Sequence, residues 1–174
     1  LPISEIYDIC HKTNIETEVF IHGALCLSYS GQCLMSSMIG GRSGNRGKCA
    51  QPCRLPYKVK DIDSSFKYLM SPKDLCGLEF IPKLIDAGVT SFKIEGRMKK
   101  PEYVATVTRI YRKYIDKCMN KENYEIEKKD IDDLLQVFNR GGFSSGHLKN
   151  SPNTDFVYPE KPNNAGIYIG NISN

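Results

Sequence analysis

The sequence predicts an α/β fold: the C-terminal part of a TIM-like barrel, followed by the start of a small β-rich domain. Two short β-branched and aromatic runs, residues 17–22 and 89–95, alternate with two amphipathic helical patterns, 78–87 and 101–119. This order implies parallel strands joined by crossover helices. A complete eight-fold barrel needs about 250 residues. We therefore expect this chain of 174 residues to supply only the last third or half of one.

Each element has a local signal. Residues 3–12 have a helical pattern, and Gly88 stands where a helix C-cap glycine belongs. Pro101 suits the first turn of a long helix. The remaining predicted elements are a hairpin of residues 55–60 and 66–70, a helix over 127–138 and a strand beginning at 166–169.

Strand alternation predicts which side chains share a face. In the first strand, Glu18, Phe20 and His22 fall on one face. In the second, Ser91, Lys93 and Glu95 share a face that points into the predicted barrel. Because charges in a barrel interior need partners, we expect Lys93 and Glu95 to pair with each other or with a ligand.

The bulk properties predict a soluble, cytoplasmic protein. No run of about 18 apolar residues exists, so we expect no membrane span. The chain opens with Leu1 and lacks a signal-peptide pattern, so we expect an internal piece of a longer protein. We divide it into residues 1–125, the barrel portion with a Cys-rich insertion at 24–60; residues 126–162, a helix and linker; and residues 163–174, the beginning of the β-domain.

Four of the seven cysteines form a cluster with the spacing C-x6-C-x15-C-x3-C: Cys26, Cys33, Cys49 and Cys53. An odd number of cysteines argues against a closed disulfide framework. Four thiolates without a histidine suit zinc or an iron–sulfur cluster equally well, and unligated thiols are a third reading. A compact site requires the chain to bend between Cys26 and Cys33, and residues 28–31 are the place for that bend.

Other polar residues are candidates for binding and catalysis. His22 ends the first strand and is a candidate general acid/base, or else a hydrogen-bonded structural histidine. Glu95 and Arg97 end the second strand, where they either bind substrate or form a structural ion pair. A basic run surrounds the last two cysteines, and it suits either a polyanion or a solvated loop: Arg42, Arg46, Lys48, Arg54, Lys58 and Lys60.

Several long segments resemble one family. EVFIHGALCLSYSGQCLMSS, GNRGKCAQPCRLPY, SPKDLC, SFKIEGRMKKPEYVATV, FNRGGFSSGH and PNNAGIYIG appear in order, and they are similar to the collagenase-like peptidase family U32. The family's cysteine pattern falls on Cys26, Cys33, Cys49 and Cys53. Its strand-end histidine falls on His22, and its FKIEGR strand end supplies Lys93, Glu95 and Arg97. Leu55 departs from the aromatic residue often found after the Cys-Arg pair.

The resemblance implies a four-iron–four-sulfur cluster on the four cysteines. It also implies oxygen-independent hydroxylation of an RNA base, with prephenate as a small-molecule donor and the tRNA wobble uridine as the favoured target over an rRNA cytidine. His22 and Glu95 would be catalytic, and Lys93, Arg97, Arg46 and Arg54 would bind substrate. A homo- or heterodimer is conceivable on this basis.

The family name supports a different reading, a collagenase-like peptidase. The chain lacks H-E-x-x-H and G-x-S-x-G, although a Cys–His pair of His22 and Cys26 would suit a nucleophile. A non-catalytic scaffold ordered by zinc is the third alternative.

Overall fold

The computed structural model describes residues 1–61, 65, 67–149 and 155–171. The helices are α1 Ile3–Lys12, α2 Met35–Gly40, α3 Ile81–Asp86, α4 Pro101–Met119 and α5 Lys128–Val137. The strands are β1 Glu18–Ala24, β2 Asp74–Cys76, β3 Ser91–Ile94 and β4 Phe143–Ser144. Three short 3-10 helices cover Gly44–Arg46, Pro52–Arg54 and Leu78–Phe80. No helix in this described part of the chain is long and apolar enough to cross a membrane.

The four strands form one mixed sheet in the order β3-β1-β2-β4. β1 pairs with β3 in parallel, as the sequence predicts, and β2 pairs with β4 in parallel. β1 and β2 are antiparallel, with His22 opposite Cys76 and Ala24 opposite Asp74. The sequence analysis predicts neither the three-residue β2 nor the two-residue β4.

Helices α3 and α4 contribute seven of the fourteen buried residues of the core cluster. Pro101 begins α4, and the buried residues Tyr103, Val107, Ile110, Tyr111 and Tyr114 follow at helical spacing. They pack with Ile21 and Leu75 of the sheet and with Leu84 of α3. Val104, which the sequence placed in this stripe, is 46% exposed.

The alternation predicted for β1 breaks at its centre. Phe20 pairs with Lys93 and His22 pairs with Ile94, so β1 carries an irregularity between Phe20 and His22. Such a bulge re-aims the side chains that follow it. Phe20 is therefore 49% exposed, whereas Ile21 and His22 are both buried. The prediction that Phe20 and His22 share one environment is wrong for this reason.

Helices 3–12, 78–87, 101–119 and 127–138 are confirmed, the second as a 3-10 turn that continues into α3. The hairpin is wrong: the described residues of 55–61, 65 and 67–70 contain no strand, and residues 62–64 and 66 lie outside the described part. Residues 166–169 are also not a strand. The division into domains stays a prediction.

The sheet leaves almost no room beside His22. Gly23 has φ +111°, and a Cβ built on it would lie 2.4 Å from the carbonyl oxygen of Glu95. We expect Gly23→Ala to lower the free energy of unfolding by about 2–4 kcal/mol, because the backbones of β1 and of the turn after β3 must separate. Urea denaturation followed by circular dichroism measures the loss. Gly40→Ala is the control, since nothing lies within 4 Å of its Cβ, and an equal loss in both variants would contradict the close approach.

Candidate functional site

The cysteine segment, residues 24–60, leaves the end of β1 and lies largely on the surface. Cys26, Cys33 and Cys49 are exposed and Cys53 is half-buried. The chain turns between the first two thiols, where Gly31 has φ +80° and Gln32 donates its backbone N–H to the Tyr29 carbonyl at 3.1 Å. The bend that the spacing predicts is confirmed.

Polar contacts order the segment despite its exposure. Ser36 Oγ accepts a hydrogen bond from the Ala50 amide at 2.9 Å, and Arg42 Nε donates to the Lys48 carbonyl at 2.9 Å. The Gln51 amide donates to Cys49 Sγ at 3.3 Å. A backbone amide aimed at a sulfur atom is the contact that stabilises thiolate ligands.

The four thiols influence one another. Burial raises the pKa of Cys53, the neighbouring Arg54 opposes that rise, and the charges of Cys26, Cys49 and Cys33 add to it. Among the residues described, however, no three His, Cys, Asp or Glu side chains converge in the geometry of a metal site. The segment thus carries four thiols and one amide donor to sulfur, and its described side chains do not converge on a metal site.

Two predicted binding residues attach this segment to the sheet. Arg54 Nη1 donates to Ser71 Oγ and to the Pro72 carbonyl, each at 2.9 Å. Arg97 Nη2 donates to the Gly47 carbonyl at 3.4 Å. Arg54 is therefore held by the protein itself, whereas Arg97 and Arg46 remain exposed.

His22 lies in β1, just before the segment begins, with only 1% of its surface exposed. Its Nδ1 is 3.2 Å from Tyr111 Oη, and Nε2 has no hydrogen-bond partner. Burial, with a smaller effect of Lys99, lowers the pKa of His22 to about 3. His22 is thus a neutral imidazole at physiological pH, and neither ring nitrogen contacts a thiol.

The structure identifies further candidate residues that the sequence analysis did not select. Asp74, 2% exposed, receives Arg140 Nη1 at 2.6 Å on Oδ1. Lys99 lies over the rings of Phe138 and Tyr103, with Nζ 2.7 and 5.4 Å from their centroids. The sequence offers one signal for Asp74 as a site residue: it is an acidic residue directly before an apolar run. That signal is weak.

The strand-end pair predicted from β3 is arranged differently. Lys93 Nζ pairs with Glu18 at 3.1 Å rather than with Glu95. The Glu95 amide donates to the His22 carbonyl at 2.8 Å, and Tyr103 Oη donates to the Glu95 carbonyl at 3.1 Å. The backbone of Glu95 thus adjoins His22, whereas Lys93 lies on the exposed face with Phe20, its Nζ 5.1 Å from the ring centroid.

The neutral state of His22 makes stability depend on pH. Because the folded pKa is about 3 and the ordinary value is 6.5, the unfolded chain binds a proton below pH 6.5 that the folded chain does not. We expect stability to fall as pH drops from 6.5 toward 4, with an excess slope near 1.4 kcal/mol per pH unit relative to His22→Asn. Urea titrations across this range measure both slopes. Equal slopes, or a wild-type imidazole NMR signal that titrates near pH 6, would contradict the burial of a neutral ring.

Comparison with known proteins identifies a matching family profile and several relatives of this chain. The profile of peptidase family U32 matches residues 1–157. The chain is 44% identical to tRNA hydroxylation protein P1 of Bacillus subtilis, over 78% of this chain and 35% of that protein. It is 38% identical to a 23S rRNA 5-hydroxycytidine synthase of Escherichia coli, over 99% of this chain and 28% of that protein.

A protein named collagenase from Porphyromonas gingivalis is 45% identical, over 77% of this chain and 34% of its own length. The chain thus spans less than half the length of these relatives. No solved structure matches it at a significant level. The match over most of the chain shows that it belongs to peptidase family U32.

Proposed function

We propose that this chain is part of a cytoplasmic iron–sulfur protein that hydroxylates an RNA base without oxygen, with the tRNA wobble uridine favoured over an rRNA cytidine. The observation that carries the proposal is that four thiols lie on the segment that directly follows β1, the strand that holds a buried, neutral histidine. Two relatives that bear RNA-hydroxylation names support the reaction class. In the whole protein we expect the parallel strands β1 and β3 to belong to the C-terminal part of a TIM-like barrel.

Cys26, Cys33, Cys49 and Cys53 would hold a four-iron–four-sulfur cluster. An all-thiolate set suits such a cluster. When bound, the cluster would supply electron transfer or substrate activation. Zinc on the same four thiols is the alternative occupant.

The surface around the thiols suits a nucleic acid. Arg46, Arg97 and Lys48 are exposed there, and cationic side chains in this position hold phosphates. Tyr29, 79% exposed, stacks on His147 with ring centroids 6.4 Å apart and an interplanar angle of 14°. Aromatic side chains of this kind stack unpaired bases. Prephenate is the proposed source of the hydroxyl group.

A collagenase-like peptidase is the second candidate, and the name of the Porphyromonas gingivalis relative favours it. A Cys–His nucleophile needs a thiol within hydrogen-bond reach of the imidazole. His22 instead contacts Tyr111 through Nδ1 and has no partner at Nε2. The geometry around His22 therefore argues against a Cys–His nucleophile.

Oxygen-free purification tests the cluster. We expect a brown protein with about four irons and four sulfides per chain. Replacing any of Cys26, Cys33, Cys49 or Cys53 by Ser should remove most of the iron, because each thiolate is a ligand. Cys118→Ser is the control and should keep it. Stoichiometric zinc without iron, or iron content unaffected by all four replacements, would overturn the assignment.

Loss of the gene in its host tests the reaction. Mass spectrometry of digested tRNA and rRNA should show one nucleoside lighter by one oxygen atom. The full-length gene should restore it and the Cys49→Ser version should not, whereas Cys118→Ser should restore it. An unchanged nucleoside profile, together with peptide cleavage by the pure protein that is lost in His22→Ala, would favour the peptidase instead.

A further inference from the structure

Ser36 is a buried polar residue in a segment that is otherwise largely exposed. Within residues 24–60, all of which the structure describes, Ser36 and Pro52 are the two buried residues. Ser36 lies in α2, whose apolar side chains Met38 and Ile39 are exposed. The helix thus buries a hydroxyl and leaves larger apolar side chains in solvent, which is the reverse of the usual order. A buried hydroxyl calls for a hydrogen-bond partner.

That partner is the backbone beside Cys49. Ser36 Oγ accepts a hydrogen bond at 2.9 Å from the amide of Ala50, the residue directly after Cys49. On the other side of Cys49, Arg42 Nε donates to the Lys48 carbonyl at 2.9 Å. Arg42 is itself joined to Ser36, because its amide donates to the Ser36 carbonyl at 3.2 Å. Helix α2 and the turn after it therefore hold the residues on both sides of Cys49.

The same contacts relate Cys49 to Cys33. Cys33 lies three residues before Ser36, on the chain that enters α2. A second tie runs from Asn45 Nδ2 to the carbonyl of Gly31 at 3.4 Å, two residues before Cys33. The chain after α2 is thus joined to α2 and to the chain before it. The backbones that carry these two thiols are therefore placed relative to each other by hydrogen bonds.

The side chain of Cys49 has local contacts of its own. The Gln51 amide donates to Cys49 Sγ at 3.3 Å. A Cβ built on Gly44 would lie 3.7 Å from the Cβ of Cys49, so the short helix that begins there packs against this side chain. Because the backbone is held on both sides and an amide contacts the sulfur, these polar contacts converge on one cysteine.

We propose that Ser36 and Arg42 are positioning residues for the Cys49 thiolate in the four-thiol centre. They act on Cys49 through the backbone of Lys48 and Ala50, and neither is a ligand. Contacts of this kind orient a metal ligand and so determine how tightly the metal is held. The inference rests on the proposed centre, but it holds for an iron–sulfur cluster and for zinc alike, and it is independent of the reaction.

Oxygen-free alkylation of the reduced chain, with Co²⁺ as the metal probe, tests this role. Mass spectrometry follows each cysteine separately, and Co²⁺ should slow the reaction of the four thiols but not that of Cys118. In Ser36→Ala with Co²⁺, Cys49 should react about three- to tenfold faster than in the unchanged chain, because one hydrogen bond to its backbone is lost. The other thiols of the centre should change by less than about a factor of two, since their own contacts remain. Arg42→Met, at an exposed position, should give the same selective result.

Ser37→Ala, at the next position of α2, and Arg46→Met, an exposed arginine nearer to Cys49 in sequence, are the matched controls and should leave all rates unchanged. An equal rise for all four thiols in Ser36→Ala would show a general ordering role and would overturn the proposal. An unchanged Cys49 in both test variants, while Cys49→Ser removes the Co²⁺ protection of the remaining thiols, would overturn the positioning role and leave the centre intact. Absence of Co²⁺ protection in the unchanged chain would overturn the centre and the positioning role together.

Discussion

The hydroxyl group of Tyr111 is the contact on which the centre of the molecule depends. It is fully buried, and it joins the carbonyl of Ile21 in β1, the amide of Gly77 after β2 and the ring of His22. One atom thus ties helix α4 to both central strands. Because each of these partners is buried, removing the hydroxyl leaves several polar groups without hydrogen bonds at once.

The contact between Tyr111 and His22 explains why strand β1 is distorted just before His22. A regular β1 would place His22 on the same exposed face as Phe20, away from Tyr111. The bulge between Phe20 and His22 turns the imidazole inward. Gly23 then allows the backbone of Glu95 to come close, and the Glu95 amide pairs with the His22 carbonyl. Burial and backbone geometry together produce a neutral histidine near the end of β1, where the cysteine segment begins.

The sequence predicted the helices well because their signals are local. The stripe from Val107 to Tyr114 and the proline at the start of α4 need no knowledge of the rest of the chain. The bulge and the antiparallel β2 depend instead on contacts distant in sequence, such as His22 with Cys76 and Asp74 with Arg140. The cysteines were found because their spacing is visible in the sequence. Asp74, Lys99 and Arg140 were missed because ordinary charged residues acquire meaning only when burial brings them together.

The two halves of the candidate site differ in how they are held. Cys26, Cys33 and Cys49 lie exposed on a segment with few buried residues, and Cys53 is half-buried. His22, Asp74 and Tyr103 are anchored by the core and are already in place. Arg54 connects the two, because it follows Cys53 and donates to Ser71 and Pro72 just before β2. Arg54 therefore attaches the cysteine segment to the chain that leads directly into β2 and Asp74.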